Sequence, residues 1–265
     1  MATLGSFLAL VNASRVMDDL RALSRFGSGS SGVEITRPAL SEPDIAARRW
    51  VMTAMEAVGM NGVQIDGLGS AYGSVGPDNV PALLMGSHTD TRPGRSWLDG
   101  TLGIAFALEA ARVLRDGGAS DFAAWSIVDW ADGEGRFGTL GASSAFVGQR
   151  LSHSQELWRA RRSAGLAGIR VMHASGRHGG WVGYIEAHVE PGVELAHGNA
   201  TLGVVDAVVG SREVSAMPTL APARPRHAHA TPITILRPRL TPADLLNCPP
   251  TNTRTPHATP HTPCP

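Results

Sequence analysis

Two uninterrupted apolar runs, Val80–Ser87 and Phe122–Trp130, constrain this chain's fold more than any other feature. Each has the length of a strand. Neither alternates apolar with polar, so each predicts a strand covered on both faces. Between them, Gly103–Leu114 carries apolar residues at helical spacing. Strand, helix and second buried strand in that order predict a parallel pair joined by a crossover. Trp181–His188 reads as a third such strand and Gly203–Val209 as a fourth, with shorter strands at Val63–Asp66 and Ser70–Val75. Further helices are expected at Arg15–Phe26, Ala142–Leu151 and Gln155–Ala164. Another starts at Ser41-Glu-Pro-Asp, which supplies a capping hydroxyl, early acids and an early proline, and ends near Val58, where Gly59 stops it. The expected class is α/β, a mostly parallel sheet flanked by helices.

Composition divides the chain in two. Residues 218–265 hold 12 of the 18 prolines, both cysteines, four of the ten histidines and five arginines against one acid, Asp244. Such a segment buries too little apolar surface to offset its ordering entropy. The expected organisation is a domain at 1–217 and a Pro/Arg/His-rich tail at 218–265, either disordered or GC-rich codons read out of frame. A His/Cys tract that binds metal is the functional alternative for the tail.

The remaining exclusions are short. Net charge is zero, which makes no case for nucleic acid or a membrane surface as partner. No apolar run reaches the length of a membrane span. The first basic residue is Arg15, so the start lacks the positive segment of a secretory signal, and the expected location is cytoplasmic. Two cysteines exclude a disulfide scaffold. Gly27-Ser-Gly-Ser-Ser-Gly32 matches a dinucleotide-binding pattern, but a helix precedes it where that motif needs a strand.

The chemistry gathers where the buried strands end. Gly86-Ser-His88-Thr-Asp90 follows the first run, and alternation in an extended segment points His88 and Asp90 the same way. An imidazole beside a carboxylate that orients it is a metal-ligand arrangement. Leu98-Asp99-Gly100 precedes the crossover helix, Asp132-Gly-Glu134-Gly follows the second run, and Glu186-Ala-His188-Val-Glu190 closes the third. In open α/β sheets, sites form beyond the carboxyl ends of strands, so all four segments are expected at one mouth. Two histidines with three acids suit zinc, manganese or cobalt, and a pair of such ions activates water and polarises a carbonyl. That chemistry is hydrolysis of an amide-like bond.

Taken in order, Gly86-Ser-His-Thr-Asp-Thr, Trp97-Leu-Asp-Gly-Thr-Leu-Gly103, Asp132-Gly-Glu-Gly-Arg-Phe-Gly138, Glu186-Ala-His-Val-Glu-Pro-Gly192 and Gly203-Val-Val resemble the hydantoinase/carbamoylase amidases of the M20 metallopeptidase clan. The resemblance covers about residues 10–215. It implies a zinc-exopeptidase-like catalytic domain, incomplete at its C-terminal side, that binds two divalent ions (Zn, Mn or Co). In it His88 and His188 bind one ion, Asp99 bridges both, Glu134 binds the second and Asp90 orients His88. Asp90 and Glu134 are thus the expected catalytic pair, and His88, Asp99, Glu134 and His188 the metal set. The implied reaction is attack of metal-activated water on a small ureido or carbamoyl acid of the N-carbamoyl amino acid, ureidopropionate or allantoate class. The family is homodimeric through a lid domain, and no dimer is expected of this chain without it.

Two positions depart from the family pattern. Gly133 stands where the family carries the glutamate that acts as general base, and glycine moves no proton. With a one-residue slip, Glu134 becomes that base and the second ion loses a ligand. Pro191 replaces a common glutamine near the substrate. The alternatives to a ureido-acid amidase are an aminopeptidase or deacylase of the same clan and an inactive, truncated metal-binding remnant.

Overall fold

In the computed structural model, which describes residues 3–29, 34–93, 96–119, 124–138, 141–149, 154–190 and 192–205, five strands form one sheet. They are β1 (Asn61–Ile65), β2 (Ala71–Val75), β3 (Ala82–Ser87), β4 (Ala124–Asp129) and β5 (Trp181–Ile185), in the order β1-β2-β4-β3-β5. The helices are α1 (Leu4–Leu8), α2 (Ala13–Leu23), α3 (Glu42–Ala57), α4 (Thr101–Asp116), α5 (Gly141–Phe146), α6 (Gln155–Ser163) and α7 (Glu194–His197). The tail at 218–265 and Pro191 lie outside the described residues.

The apolar runs are apolar throughout because the sheet is covered on both sides. Met85 of β3 and Trp125 and Ile127 of β4 face Val51 and Met55 of α3 and Ile104 and Leu108 of α4. Their neighbours Leu84 and Val128 face the opposite side, against Ala142 and Phe146 of α5. Helix α3 starts as expected, with the Ser41 hydroxyl accepting from the backbone N–H of Asp44 at 3.4 Å and a proline in the first turn.

The crossover holds as expected. β3 and β4 are parallel, from Ala82 opposite Ala124 to Ser87 opposite Asp129, and β5 is parallel to β3. The sheet is nevertheless mixed rather than mostly parallel. β1 pairs β2 and β2 pairs β4 antiparallel. The cause is the length of two connections. Residues 66–70 and 76–81 are too short to carry a crossover, so the chain must reverse at each. The first turn is built on Asp66, whose Oδ1 accepts from the backbone N–H groups of Leu68, Gly69 and Ser70 at 2.9–3.0 Å. The strand expected at Gly203–Val209 is absent as far as residue 205, and 206–209 lie outside the described residues.

The chain divides into two units, Met1–Val189 and Glu190–Pro265. The first contains the sheet. In the second, the Glu190 carboxylate accepts from the backbone N–H groups of Glu194 and Leu195 at 3.1 and 2.8 Å and so starts α7. β5 lies at an edge of the sheet, with Val182 73% and Ile185 59% exposed. No helix among the described residues is long and apolar enough to cross a membrane.

Candidate metal centre

Because β3, β4 and β5 run the same way, the segments that leave them emerge on one side. The β3–β5 register pairs Leu84 with Tyr184 and Met85 with Ile185. Continued in step, it sets His88 across from His188, and their ring centroids are 6.1 Å apart. Glu186 ties the two strand ends together. Its carboxylate accepts from the Ser87 hydroxyl at 2.6 Å and from the Tyr184 hydroxyl at 2.8 Å, and Tyr184 in turn accepts from Trp130 Nε1 at 2.9 Å.

Ligand-type atoms of His88, Asp99 and His188 lie within 4.8 Å of one another. The turn before α4 brings Asp99 in, and its Oδ1 sits 3.0 Å from His188 Nε2. That oxygen is buried and has no hydrogen bond. Both imidazoles are held by the opposite nitrogen. His88 Nδ1 lies 3.1 Å from the Asp90 carbonyl oxygen and 3.5 Å from Asp90 Oδ1, and His188 Nδ1 lies 2.8 Å from the Val189 carbonyl oxygen. Each Nε2 is thereby left for an ion. Donors of a tetrahedral site with bonds near 2.1 Å stand about 3.4 Å apart, so three donors this close fit one divalent cation. The residues present therefore fit a metal.

Glu134, the fourth expected ligand, is not in that group. Its Oε2 pairs with Arg92 Nε at 3.3 Å, Arg92 also donates to its carbonyl oxygen, and its Oε1 is buried without a hydrogen bond. Burial raises the Glu134 carboxyl above the usual carboxylate range against the pull of His88. Asp90 lies beside His88 and also reaches the segment after β4. Its two oxygens accept from the backbone N–H groups of Gly133 and Glu134, each at 3.0 Å. Burial opposes its charge, but the bond to His88 and the charges of His88 and Arg48 outweigh it, and its carboxyl is lowered. Gly133 packs so closely on His88 that any Cβ there would clash with the ring's Cγ and Cδ2, and a Cβ at Gly100 would meet its Cε1 and Nε2. His88 occupies the slot between two glycines.

Beneath the centre lies a charged layer that no sequence motif announces. Arg48 of α3 is fully buried and reaches three buried carboxylates: Asp44 at 3.1 Å, Asp90 at 3.3 Å and Asp129 at 2.9 Å. Asp129 also accepts from the backbone N–H and hydroxyl of Thr89, at 2.9 and 2.8 Å. Arg37, equally buried, donates to the carbonyls of Thr89 at 2.8 Å and Leu23 at 2.6 Å and to the Thr101 hydroxyl at 3.0 Å. Burial pulls its guanidinium down to about 10, with Asp44 and Asp129 opposing. The two arginines fix both sides of the His88–Asp90 segment. One signal could have exposed Arg48: it shares the helix face of Asp44, Val51 and Met55, at i, i+4, i+7 and i+11, which is the buried stripe.

No profile of a known protein family matches the chain. Individual proteins do. An N-carbamoyl-L-amino-acid amidohydrolase of Paenarthrobacter aurescens is 32% identical over 252 residues, which takes in 90% of this chain and 60% of that protein. A ureidoglycolate hydrolase of Arabidopsis thaliana is 29% identical over 220 residues, 75% of this chain and 45% of that one. The crystal structure of a hydantoinase/carbamoylase family amidase from Burkholderia phymatum matches with a TM-score of 0.63 at 34% identity, over 71% of this chain and 48% of that chain. The chain thus spans between about half and three-fifths of the length of these relatives. In sequence and in fold, it is similar to amidases of the hydantoinase/carbamoylase family.

Proposed function

We propose that the chain carries the metal-binding half of a hydrolase that cleaves a non-peptide C–N bond in a small ureido or carbamoyl acid. The observation that carries this is the convergence of His88, Asp99 and His188 at one end of the sheet. It occurs in a chain whose relatives bear the names N-carbamoyl-L-amino-acid amidohydrolase, ureidoglycolate hydrolase and allantoate amidohydrolase. Bound there, a zinc, manganese or cobalt ion would supply a Lewis acid for the substrate oxygen and would lower the pKa of water. The chain's own residues do the rest. Asp90 fixes the His88 tautomer and the 133–134 backbone, and Glu134 presents a buried oxygen without a partner beside the metal ligands.

The domain at 1–217 is zinc-exopeptidase-like, with 218–265 as its tail. The inactive, metal-binding remnant is the second reading, and Gly133 favours it. Loss of a positioned base costs about 10²–10⁴-fold in rate. Ammonia release from an N-carbamoyl amino acid, ureidopropionate and allantoate, with a dipeptide as control, tests the proposal on the purified chain. Slow, metal-dependent release from a ureido acid supports it. Dipeptide cleavage alone turns it toward an aminopeptidase. Metal binding without turnover establishes the remnant.

A further inference from the structure

We infer that the centre holds one divalent cation, on His88, Asp99 and His188, and that Glu134 stays outside its coordination shell because Arg92 already neutralises it. The inference rests on the hydrolase reading only for what the ion is for; the number of ions is independent of it.

A pair of ions about 3.5–4 Å apart needs a bridging carboxylate and further donors for each ion. Three donors converge at this centre, which completes the protein share of a single open site. The carboxylates around them are engaged. Both oxygens of Asp90 are taken by the Gly133 and Glu134 backbone, with Arg48 and His88 beside them. Both oxygens of Glu186 are taken by Ser87 and Tyr184. Among the described residues Glu134 is the acid left for a second ion; its Oε1 is buried without a hydrogen bond, but the Arg92 guanidinium lies against its Oε2 and its carbonyl oxygen. A fixed guanidinium at that carboxylate supplies the positive charge a second metal would bring, and its repulsion disfavours a dication there. Position 133 offers nothing in exchange, since it has no side chain and the His88 ring fills the space.

The experiment is a count. The full 265-residue chain is titrated with Co2+ and with Zn2+, followed by calorimetry and by the visible spectrum of the cobalt form, and metal per chain is measured after gel filtration. One equivalent is expected. Glu134→Gln, nearly isosteric, is expected to bind one equivalent with an affinity within about threefold, whereas His188→Ala loses at least tenfold. Circular dichroism establishes that both variants fold. A second equivalent in the natural chain that Glu134→Gln loses overturns the inference, while one that Glu134→Gln keeps lies away from the centre and leaves the inference standing. One equivalent without ureido-acid hydrolysis removes the proposed function and leaves the ion count standing. A second, Glu134-dependent equivalent with hydrolysis does the reverse.

Discussion

Asp90 and Gly133 meet through a backbone hydrogen bond of 3.0 Å, and the same carboxylate stands 3.5 Å from His88 Nδ1. One side chain thus aligns the segment after β3 with the segment after β4. Asp90→Asn keeps the shape but removes the charge and puts a donor where two N–H groups point. Carboxylates that orient metal-bound histidines are typically worth about 10–100-fold in metal affinity. A loss in that range is expected in competition with a chromogenic chelator. An unchanged affinity would show that His88 needs no help from Asp90.

The metal-free centre is expected to sense pH through His88. Burial disfavours its charge, yet the hydrogen bond and charge of Asp90, with Glu134, hold its pKa up at about 9 against an ordinary 6.5. A folded-state value above the unfolded one gives stability that is fully present below pH 6.5 and lost as pH rises to about 9. The same proton must leave before His88 can bind a cation. Apparent metal affinity should therefore climb about tenfold per pH unit toward 9 and then level off. Urea denaturation of the apo chain and metal titration, both run between about pH 6 and 10, check the two slopes. A flat profile in both would refute the assignment.

Arg48 is the residue whose loss should cost the fold most. Removing one partner of a buried ion pair leaves the other uncompensated, at a cost of about 3–5 kcal/mol. Arg48 leaves three such carboxylates. Arg48→Met is expected to lower the urea midpoint sharply at about pH 8 and less at about pH 5. Burial already raises the carboxyls of Asp44 and Asp129, and both can take up protons when the cation is gone. Equal losses at the two pH values would count against this account.

Glu186 should matter for binding more than for stability. It is exposed, so its hydrogen bonds to Ser87 and Tyr184 contribute little to folding. They do set how β5 ends against β3, and hence where His188 stands. Glu186→Ala should leave the melting temperature within a few degrees and weaken Co2+ binding about tenfold or more. A variant that melts early and binds normally would assign Glu186 to stability instead.

The parts of this site legible in the sequence were those with local patterns. His88, Asp90, Asp99 and His188 sit where apolar runs stop or a helix starts, and strand ends converge by topology. Arg48 was illegible because an arginine in an amphipathic helix reads as a solvated residue until its place on the stripe is checked. Arg48 fails that check, since Val51 and Met55 on its face are fully buried. Sheet direction was misjudged for a related reason. The apolar runs announce covered strands, but only the length of the segments at 66–70 and 76–81 reveals that the chain turns back on itself. The absence of Glu134 from the ligand group depends on Arg92, 42 residues away in sequence, and no local pattern carries that pairing.

The glycine at 133 limits what can take its place. Its missing Cβ and the present position of the His88 ring occupy the same space. Any side chain placed at 133 therefore displaces the imidazole, so an acid put there to move a proton does so at the cost of the position of His88.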